Sequence, residues 1–410
     1  MNELSSTSLG VAMNRRKFIR VAGGGVIAAA GLPGCSLLGS DYPAASVEAW
    51  AGPGAEKDPR RRAVAYAITA PNPHNLQPWL VDLREPGIVT LYTDRARVLP
   101  ETDPFGRQIL IGHGAFLELM VIAFAHQGIA CQALLWPQGE MPADLNGWDN
   151  RPIARLVLSP EPAPKRYTAA AASLFPQILL RRTPKTPFDP SHEITADTLR
   201  KLTEGASTAD VSLGATVDAA RVAALRELCW QAGRQELLTP RTMMESQRLM
   251  RVGPSEILAH RDGIVLNTPW VRAISTLGLF DRNQPPARGS SAYDAGMAIY
   301  DQNSRSATGF VWLSTAGNSR REQILAGRAF VRLQLKATEL GVGMHPMSQA
   351  LQEFPEMQRH HDKAHRLMLG RAAPQSWREP TLQMFCRLGY PERPAPATPR
   401  RPLEVFMRTV

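Results

Sequence analysis

The stretch Ala70-Pro71-Asn72-Pro73-His74-Asn75-Leu76-Gln77-Pro78-Trp79 is the most informative part of this 410-residue chain. We call it the proline loop, because its prolines restrict the backbone on either side of a run of compact polar side chains. The amide and imidazole groups between the prolines can both donate and accept hydrogen bonds. A rigid loop of this composition is suited to holding a flat ligand that is rich in heteroatoms.

The overall composition is that of a globular protein, with 44% hydrophobic and 20% charged residues. The length allows two or three domains. The net charge is +10, but the arginines are scattered, and no zinc-finger spacing or aromatic RNA-binding signature accompanies them. We therefore expect no nucleic-acid partner, since a basic surface alone gives only non-specific association.

Residues 1–35 are predicted to form a targeting segment. The run Asn14-Arg15-Arg16-Lys17-Phe18-Ile19 precedes a weakly apolar stretch and is typical of a twin-arginine (Tat) signal peptide. Leu32-Pro33-Gly34-Cys35 resembles a lipobox, although a small-residue cleavage region remains an alternative. We expect export by the Tat machinery to the periplasm, as a free protein or as a lipoprotein anchored at Cys35, with residues 36–53 as a linker.

The remaining cysteines and a histidine cluster do not indicate a metal site. Cys131, Cys229 and Cys386 are widely spaced and odd in number, so they define neither a disulfide framework nor a metal-binding pair. His361 and His365 would share one helical face, but no third ligand is evident, and we expect an exposed basic helix there. The sequence also lacks a Gly-x-Ser-x-Gly nucleophile elbow, which argues against a hydrolase.

Two long apolar segments suggest an internal repeat. The segments 115–128 and 329–341 share much of their apolar spacing, and each ends at a glycine. We therefore predict two copies of one α+β unit, at residues 54–165 and 170–395, followed by a tail at 396–410. Residues 241–306 are rich in Met, Gly, Pro and Arg, and we interpret them as a lid-like insertion in the second half.

A basic motif opens the second half, in the run Ile178-Leu179-Leu180-Arg181-Arg182-Thr183-Pro184-Lys185-Thr186-Pro187-Phe188-Asp189. Arginine offers a planar fork to a phosphate, lysine offers a point charge, and threonine offers a short hydroxyl. The motif therefore indicates a phosphate site, with ordinary solvent-facing basic residues as the alternative.

Together, the proline loop and the basic motif resemble the nitroreductase-like flavoproteins. In that family the corresponding elements are Pro-Ser-x-x-Asn-x-Gln-Pro-Trp and Arg-Arg-Ser-x-Arg, and each FMN lies between the basic motif of one subunit and the loop of its partner. Here residues 41–45 lack a basic motif and residues 208–212 lack a proline loop, so each half keeps what the other has lost. This pattern resembles the duplicated, single-chain Acg-type branch, which implies a single FMN site and a monomeric pseudo-dimer.

The resemblance extends to three further segments. Gly341 to Gln349 follows the second long helix where the family places a turn against the flavin, although a plain helix cap and turn is the alternative. Met384 to Tyr390 resembles the family's closing strand, in which Arg387 would either bind phosphate or pair with a surface carboxylate. The implied FMN contacts are Asn72, Pro73, His74, Asn75, Gln77, Arg181, Arg182, Thr183, Lys185, Gly343, Met344, His345, Arg387 and Arg107.

The resemblance implies an α+β fold, with antiparallel-rich mixed sheets packed against long helices and duplicated in tandem. It also implies ping-pong hydride transfer from NAD(P)H, or another donor, through FMN to a nitroaromatic or a quinone. The flavin would carry the chemistry, so no catalytic side chain is required, and His345 or a backbone N–H near the flavin N5 is the candidate to assist it. The alternative is an FMN-sequestering protein with little turnover, in which the insertion at 241–306 covers the flavin.

Overall fold

The computed structural model describes residues 42–163, 172–204, 208–277 and 281–408. The predicted signal peptide and Cys35 lie outside these residues and stay predictions. The α-helices within the described residues are α1 (Ala44–Val47), α2 (Pro59–Ala67), α3 (Arg107–His126), α4 (Ala196–Glu204), α5 (Ala219–Leu238), α6 (Pro240–Arg248), α7 (Gly253–His260), α8 (Pro269–Thr276), α9 (Ser291–Arg305), α10 (Arg320–Glu339) and α11 (Gln358–Leu369). The strands are β1 (Trp79–Asp82), β2 (Ile88–Thr93), β3 (Ile129–Leu135), β4 (Ala154–Pro162), β5 (Ser212–Thr216), β6 (Met250–Val252), β7 (Ile264–Leu266), β8 (Gly309–Thr315), β9 (Gly343–Pro346) and β10 (Thr381–Gly389).

Two four-stranded sheets have the same topology. The first has the order β1-β2-β4-β3 and the second β5-β8-β10-β9, and every pairing in both is antiparallel. In each sheet a long helix connects the second strand in sequence to the third, α3 in the first half and α10 in the second. The prediction of an α+β protein with antiparallel-rich sheets and long helices is confirmed.

The central strands of the second sheet are buried on both faces. Every residue of β8 and β10 is buried. Because side chains alternate along a strand, Val311 and Leu313 pack into the cluster that contains α10, whereas Phe310 and Trp312 pack into the cluster below α5 and α11. The second sheet is therefore covered by helices on both sides, which accounts for its continuous apolar runs.

The two halves meet where α3 crosses α10. At the crossing Gly114 and Gly327 face each other, and a Cβ added to either glycine would lie 2.9 Å from the Cα of the other and overlap a backbone carbonyl of the opposite helix. One turn away, the fully buried Glu118 accepts hydrogen bonds from Arg328, at 2.6 Å, and from Arg332. The two glycines therefore allow α3 and α10 to approach closely, and the ion pairs of Glu118 fix how the two helices are aligned.

Helix α3 is the only helix of the described residues that is long and apolar enough to cross a membrane. Most of it is buried inside the protein, as expected of a core helix. The start of α10 is fixed by a capping box, in which Ser319 caps the helix and Glu322 bonds back to the cap. Helices α3 and α10 begin at Arg107 and Arg320, before the repeated segments 115–128 and 329–341.

The insertion consists of α6 to α9 and a small parallel pair, β6 and β7.

The second part of the predicted linker has regular structure, because residues 42–53 contain α1 and a short 3₁₀ turn. Trp50 in that turn is buried, and its indole N–H donates to the carbonyl of Thr398 in the tail, 2.7 Å away. Burial of one large aromatic side chain is enough to fix this segment to the protein.

The histidine cluster on α11 is buried, so the expectation of an exposed basic helix is wrong. His360, His361 and His365 are all less than one-tenth exposed. His365 accepts a hydrogen bond from the backbone N–H of Leu382 at 3.1 Å, and its other ring nitrogen lies 2.9 Å from the carbonyl of His361. Burial lowers the pKa of all three imidazoles, and His365 is a neutral structural residue. No group that could hold a metal ion occurs among the described residues.

Candidate functional site

The proline loop adopts an unusual backbone conformation. His74, Asn75 and Gln77 have φ values of 49°, 54° and 54°, in the left-handed region that side chains with a Cβ rarely adopt. Each such residue costs roughly 1–3 kcal/mol and persists only where the surroundings enforce it, as they often do at functional sites. The base of the loop rests on α3 at Gly112, where an added Cβ would lie 3.1 Å from the Cβ of Asn72.

The amide of Gln77 holds the loop to its surroundings. Its Nε2 donates to the carbonyls of Asn75 (3.2 Å) and Arg261 in the insertion (2.9 Å), and its Oε1 accepts from the backbone N–H of Arg401 in the tail (2.9 Å). Its backbone N–H donates to Oδ1 of Asn72 at 2.8 Å. Gln77 is fully buried by these contacts.

Asn75 is engaged in the same way. Its Nδ2 donates to the carbonyl of Pro399 at 3.0 Å, and its Oδ1 accepts from Arg400. The sequence predicts that Asn75 and Gln77 face a ligand, but the structure uses both amides to bind the loop to the tail and the insertion. What remains partly accessible is the edge formed by Asn72, Pro73 and His74.

Four basic side chains gather beside the loop, and we call them the cation cluster: Arg181, Arg182, Lys185 and Arg400. The guanidinium carbons of Arg181, Arg182 and Arg400 lie 5.3, 4.3 and 5.3 Å from the centre of the Trp50 ring. Arg181 and Arg400 both donate to the carbonyl of Thr69, at 2.7 and 3.0 Å. The basic motif of the second half thus meets the first half at the start of the proline loop.

The cation cluster carries uncompensated charge. None of its four members forms an ion pair with a carboxylate in the described part of the chain. Burial, and then the charge of the neighbouring Arg182, lower the pKa of Arg181 to about 9. Burial and the charges of Arg181 and Arg182 likewise hold the pKa of Arg400 well below its usual value. Buried charges are normally paired, so a group of unpaired cations indicates a site for an anion.

Orphaned donors in the cluster support the same conclusion. The Nε atoms of Arg181 and Arg400 are buried and have no hydrogen-bond partner among the described residues. Lys185 forms no ion pair in that part of the chain, and its side chain is exposed. Burial and the charge of Arg400 lower the pKa of Lys185.

Two histidines lie close enough to Lys185 to feel its charge. Burial and then Lys185 lower the pKa of His74 to about 4. Burial, then Arg387, then Lys185 lower the pKa of His345 well below its usual value. Both imidazoles are therefore neutral near pH 7. The loop, the basic motif and the segment after α10 are brought together around Lys185, as the sequence predicts.

Arg387 is a buried residue that holds His345 and the neighbouring backbone in place. Its guanidinium donates to the carbonyls of Asn303 and Thr186, to Ser306 and to Nδ1 of His345, the last at 2.9 Å. It is fully buried, so all its donors are used by the protein and none is left for a phosphate. Because Nδ1 of neutral His345 accepts this bond, its hydrogen is on Nε2.

The other predicted site residues serve packing. Gly343 lies in β9, where an added Cβ would meet the ring of Phe188 at 2.7 Å, and Met344 is buried beside it. The Thr183 hydroxyl accepts from Arg181 at 3.2 Å and from Gln334 of α10 at 3.1 Å, so it fixes the arginine.

Arg107 lies apart from the cation cluster, at the start of α3. It donates to Glu353 (3.0 Å) and to the carbonyls of Gln383 (2.7 Å) and Leu351 (2.5 Å). It joins the two halves, and each of its three guanidinium nitrogens is bonded to the protein.

Replacing Arg107 with methionine is expected to lower the free energy of unfolding by about 3 kcal/mol, because the partly buried carboxylate of Glu353 and two carbonyls lose their partner. Denaturant titration of the purified variant measures this loss. The affinity of the folded variant for FMN should equal that of the wild type. A weakened affinity at unchanged stability would place Arg107 in the site instead.

Sequence reasoning missed Arg400 and Trp50. Arg400 lies in a segment rich in proline and arginine that has no helical or strand periodicity, and Trp50 lies in the presumed linker. An isolated tryptophan among small residues was the one available signal, since such a side chain usually packs against something.

The sequence is similar to that of nitroreductase-type proteins. No protein-family model matches the chain. It is 27% identical over 352 residues to "Putative NAD(P)H nitroreductase acg" of Mycobacterium tuberculosis, a match that covers 84% of this chain and 94% of that protein. The uncharacterised protein Rv3127 of the same organism is 34% identical over 132 residues, which are 32% of this chain and 35% of that protein. The first match spans both halves and supports a nitroreductase-like α+β fold.

Among solved structures, a protein described as "a putative nitroreductase" from Anabaena variabilis covers 85% of this chain and 91% of its own, at 11% identity and a TM-score of 0.40. The FMN-dependent nitroreductase NfnB of Mycobacterium smegmatis, solved in complex with NADPH, covers 59% of this chain and 98% of its own, at 19% identity and a TM-score of 0.34.

Proposed function

We propose that this chain is an FMN-binding oxidoreductase of the nitroreductase type, with one FMN site between the proline loop and the cation cluster. The observation that carries the proposal is the group of four basic residues without a carboxylate partner in the described part of the chain. A phosphate dianion would satisfy the orphaned donors and offset the repulsion within the group. The similarity to "Putative NAD(P)H nitroreductase acg" supports a nitroreductase-type function, and the resemblance of the proline loop and the basic motif to the nitroreductase-like flavoproteins supports the choice of FMN.

The residues present fit this cofactor. Arg181, Arg182, Lys185 and Arg400 would hold the phosphate, while His74 and His345 would offer neutral hydrogen-bonding groups to the rest of the molecule. FMN bound there would supply the redox chemistry, taking a hydride from NAD(P)H and passing it to an electron-poor acceptor such as a nitroaromatic or a quinone. His345 holds its hydrogen at Nε2 because Arg387 occupies Nδ1, so it would act as a hydrogen-bond donor in the proposed cleft between the proline loop and the cation cluster.

We also propose that the two halves arose by duplication, as a fused pseudo-dimer with one remaining site. The identical strand order of the two sheets supports this origin, as does the equivalent position of α3 and α10. One FMN per chain is the expected stoichiometry, because the basic motif survives in one half and the proline loop in the other. A second bound FMN per chain would overturn the single-site proposal.

Anaerobic addition of excess NADPH to the purified protein tests the proposed function. A yellow protein whose flavin absorption is bleached promptly, and which recovers on addition of a quinone, is the expected result. A colourless protein that takes up no added FMN would exclude a flavoprotein function.

The second candidate is an FMN-sequestering protein, which is favoured by the closure of the loop. The insertion contacts the proline loop through Arg261 and Gly263, and the tail contacts it through Pro399, Arg400 and Arg401. If these segments exclude the nicotinamide, a yellow protein will keep its absorption under NADPH and lose it rapidly with dithionite. That result would support sequestration over catalysis.

A further inference from the structure

Behind His74 lies a buried carboxyl group that the proposed function leaves unexplained. Glu236, near the end of α5, is 5% exposed. Its Oε2 accepts from Nε2 of Gln352 at 3.3 Å, and its Oε1 lies 3.5 Å from the hydroxyl of Ser246 on α6. The same hydroxyl lies 3.0 Å from Nε2 of His74. Glu236, Ser246 and His74 thus form a continuous path from the interior to the proline loop.

The charges around Glu236 favour its protonated form. The side chains that hydrogen-bond to it, from Gln352, Ser246 and Gln349, are neutral. Two titratable groups lie near Glu236, namely Tyr300 of α9 and Glu245 of α6. The negative charge of Glu245 helps to raise the pKa of Glu236. Burial, which is only partly offset by the amide of Gln352, raises the pKa of Glu236 to about 7. Since Gln352 donates to Oε2, the acidic hydrogen belongs on Oε1, which faces Ser246.

His74 has the opposite surroundings. Burial and the positive charge of Lys185 keep its imidazole neutral. Its Nδ1 is buried and has no hydrogen-bond partner in the described part of the chain, whereas Nε2 meets Ser246. A neutral imidazole with one nitrogen beside a hydroxyl and the other unpaired can accept a proton at one nitrogen and release a proton from the other.

We propose that Glu236, Ser246 and His74 form a proton relay that delivers one proton to the acceptor bound in the cleft. The proposal rests on the proposed function, in which a quinone, NAD(P)H and one proton give the hydroquinone and NAD(P)⁺. The O–H bond at Oε1 of Glu236 breaks as Ser246 takes that proton. Ser246 gives its own hydrogen to Nε2 of His74, and the hydrogen on Nδ1 of His74 bonds to the quinone oxygen.

No electrons move along the relay, and the two electrons of the reduction travel with the hydride. The carboxylate of Glu236 regains its proton when the cleft opens. Water protonates Nδ1 of His74, and the hydrogen on Nε2 returns through Ser246. Glu236 is thus a positioning residue that acts through His74.

The experiment compares Ser246→Ala with Ser246→Thr, which keeps the hydroxyl. The control is Ser304→Ala, which removes another buried hydroxyl, one that donates to the carbonyl of Tyr300 within α9. Each holoprotein is reduced with one equivalent of dithionite and mixed with benzoquinone, so the result does not depend on whether NADPH is the donor. We expect Ser246→Ala to slow quinone reduction by about 10²-fold and to abolish its solvent isotope effect. Ser246→Thr should restore most of the rate.

Infrared spectroscopy of the same proteins, without turnover, gives an independent readout. The wild type should show a protonated-carboxyl band that titrates near pH 7 and is absent from Glu236→Gln. Its midpoint should rise in Ser246→Ala, because the hydroxyl no longer stabilises the carboxylate. The relay is overturned if Glu236→Gln keeps the band, or if Ser246→Ala reduces quinone as fast as Ser304→Ala. A protein that shows the band and its shift but binds no FMN would refute the proposed function while leaving the coupling of Glu236 to Ser246 intact.

Discussion

Replacement of Gly327 by valine is expected to destabilise the packing of the two halves against each other. A Cβ at this position would overlap the carbonyl oxygen of Ile111 on α3 and approach Gly114 Cα to 2.9 Å. These are backbone atoms of a buried helix, so rotation of a side chain cannot relieve the overlap. We expect a loss of about 3 kcal/mol or more in the free energy of unfolding, from overpacking alone. Denaturant titration followed by circular dichroism measures it.

The matched control is Gly296→Ala on α9. An added Cβ there meets only Leu237 Cδ1, at 3.8 Å, so the substitution should cause no overlap. Because alanine reduces the conformational freedom of the unfolded chain, the variant should be more stable by about 0.4–1 kcal/mol. If Gly327→Val were as stable as Gly296→Ala, the close crossing of α3 and α10 would be wrong.

Replacement of Lys185 by methionine is expected to have the largest effect on ligand binding. The side chain forms no ion pair within the described residues, and burial and Arg400 already disfavour its charge. Loss of one charge-assisted contact to phosphate should weaken FMN binding by about 1.5–3 kcal/mol, or roughly 10- to 10²-fold. The stability of the unliganded variant should stay close to that of the wild type, because the Lys185 side chain is exposed and forms no ion pair within the described residues. Calorimetric titration and thermal unfolding measure the two effects.

The control for Lys185→Met is Lys201→Met. Lys201 lies on the exposed face of α4, where its ammonium is 2.7 Å from Asp197. That substitution should change neither FMN affinity nor stability appreciably, since exposed ion pairs contribute little. If Lys185→Met bound FMN as tightly as Lys201→Met, the cation cluster would not be the phosphate site.

Local patterns predicted much of the fold. Apolar periodicity indicated both long helices, and the family resemblance indicated the closing strand β10. The basic motif and the proline loop were also correctly expected to meet, since Arg181 donates to Thr69 at the start of the loop. These signals were readable because each depends on a short run of residues.

The internal contacts of the loop could not be predicted in this way. The partners of Asn75 and Gln77 lie in the tail and the insertion, and sequence spacing carries no information about such distant hydrogen bonds. Arg400 could not be predicted for the same reason, because only the path of the tail in the folded protein brings it to the cation cluster. On α11, His361 and His365 share a face with Ala364 and Met368, and that shared apolar face was the available sign that they are buried.

Calorimetric titration of the cofactor-free protein with FMN, and separately with riboflavin, tests the central claim most directly. Riboflavin has the same ring and side chain but lacks the phosphate. If the cation cluster is the phosphate site, FMN will bind with one molecule per chain, and riboflavin will bind at least about 10-fold more weakly. Equal affinity for the two flavins, or no binding of FMN, would contradict the account.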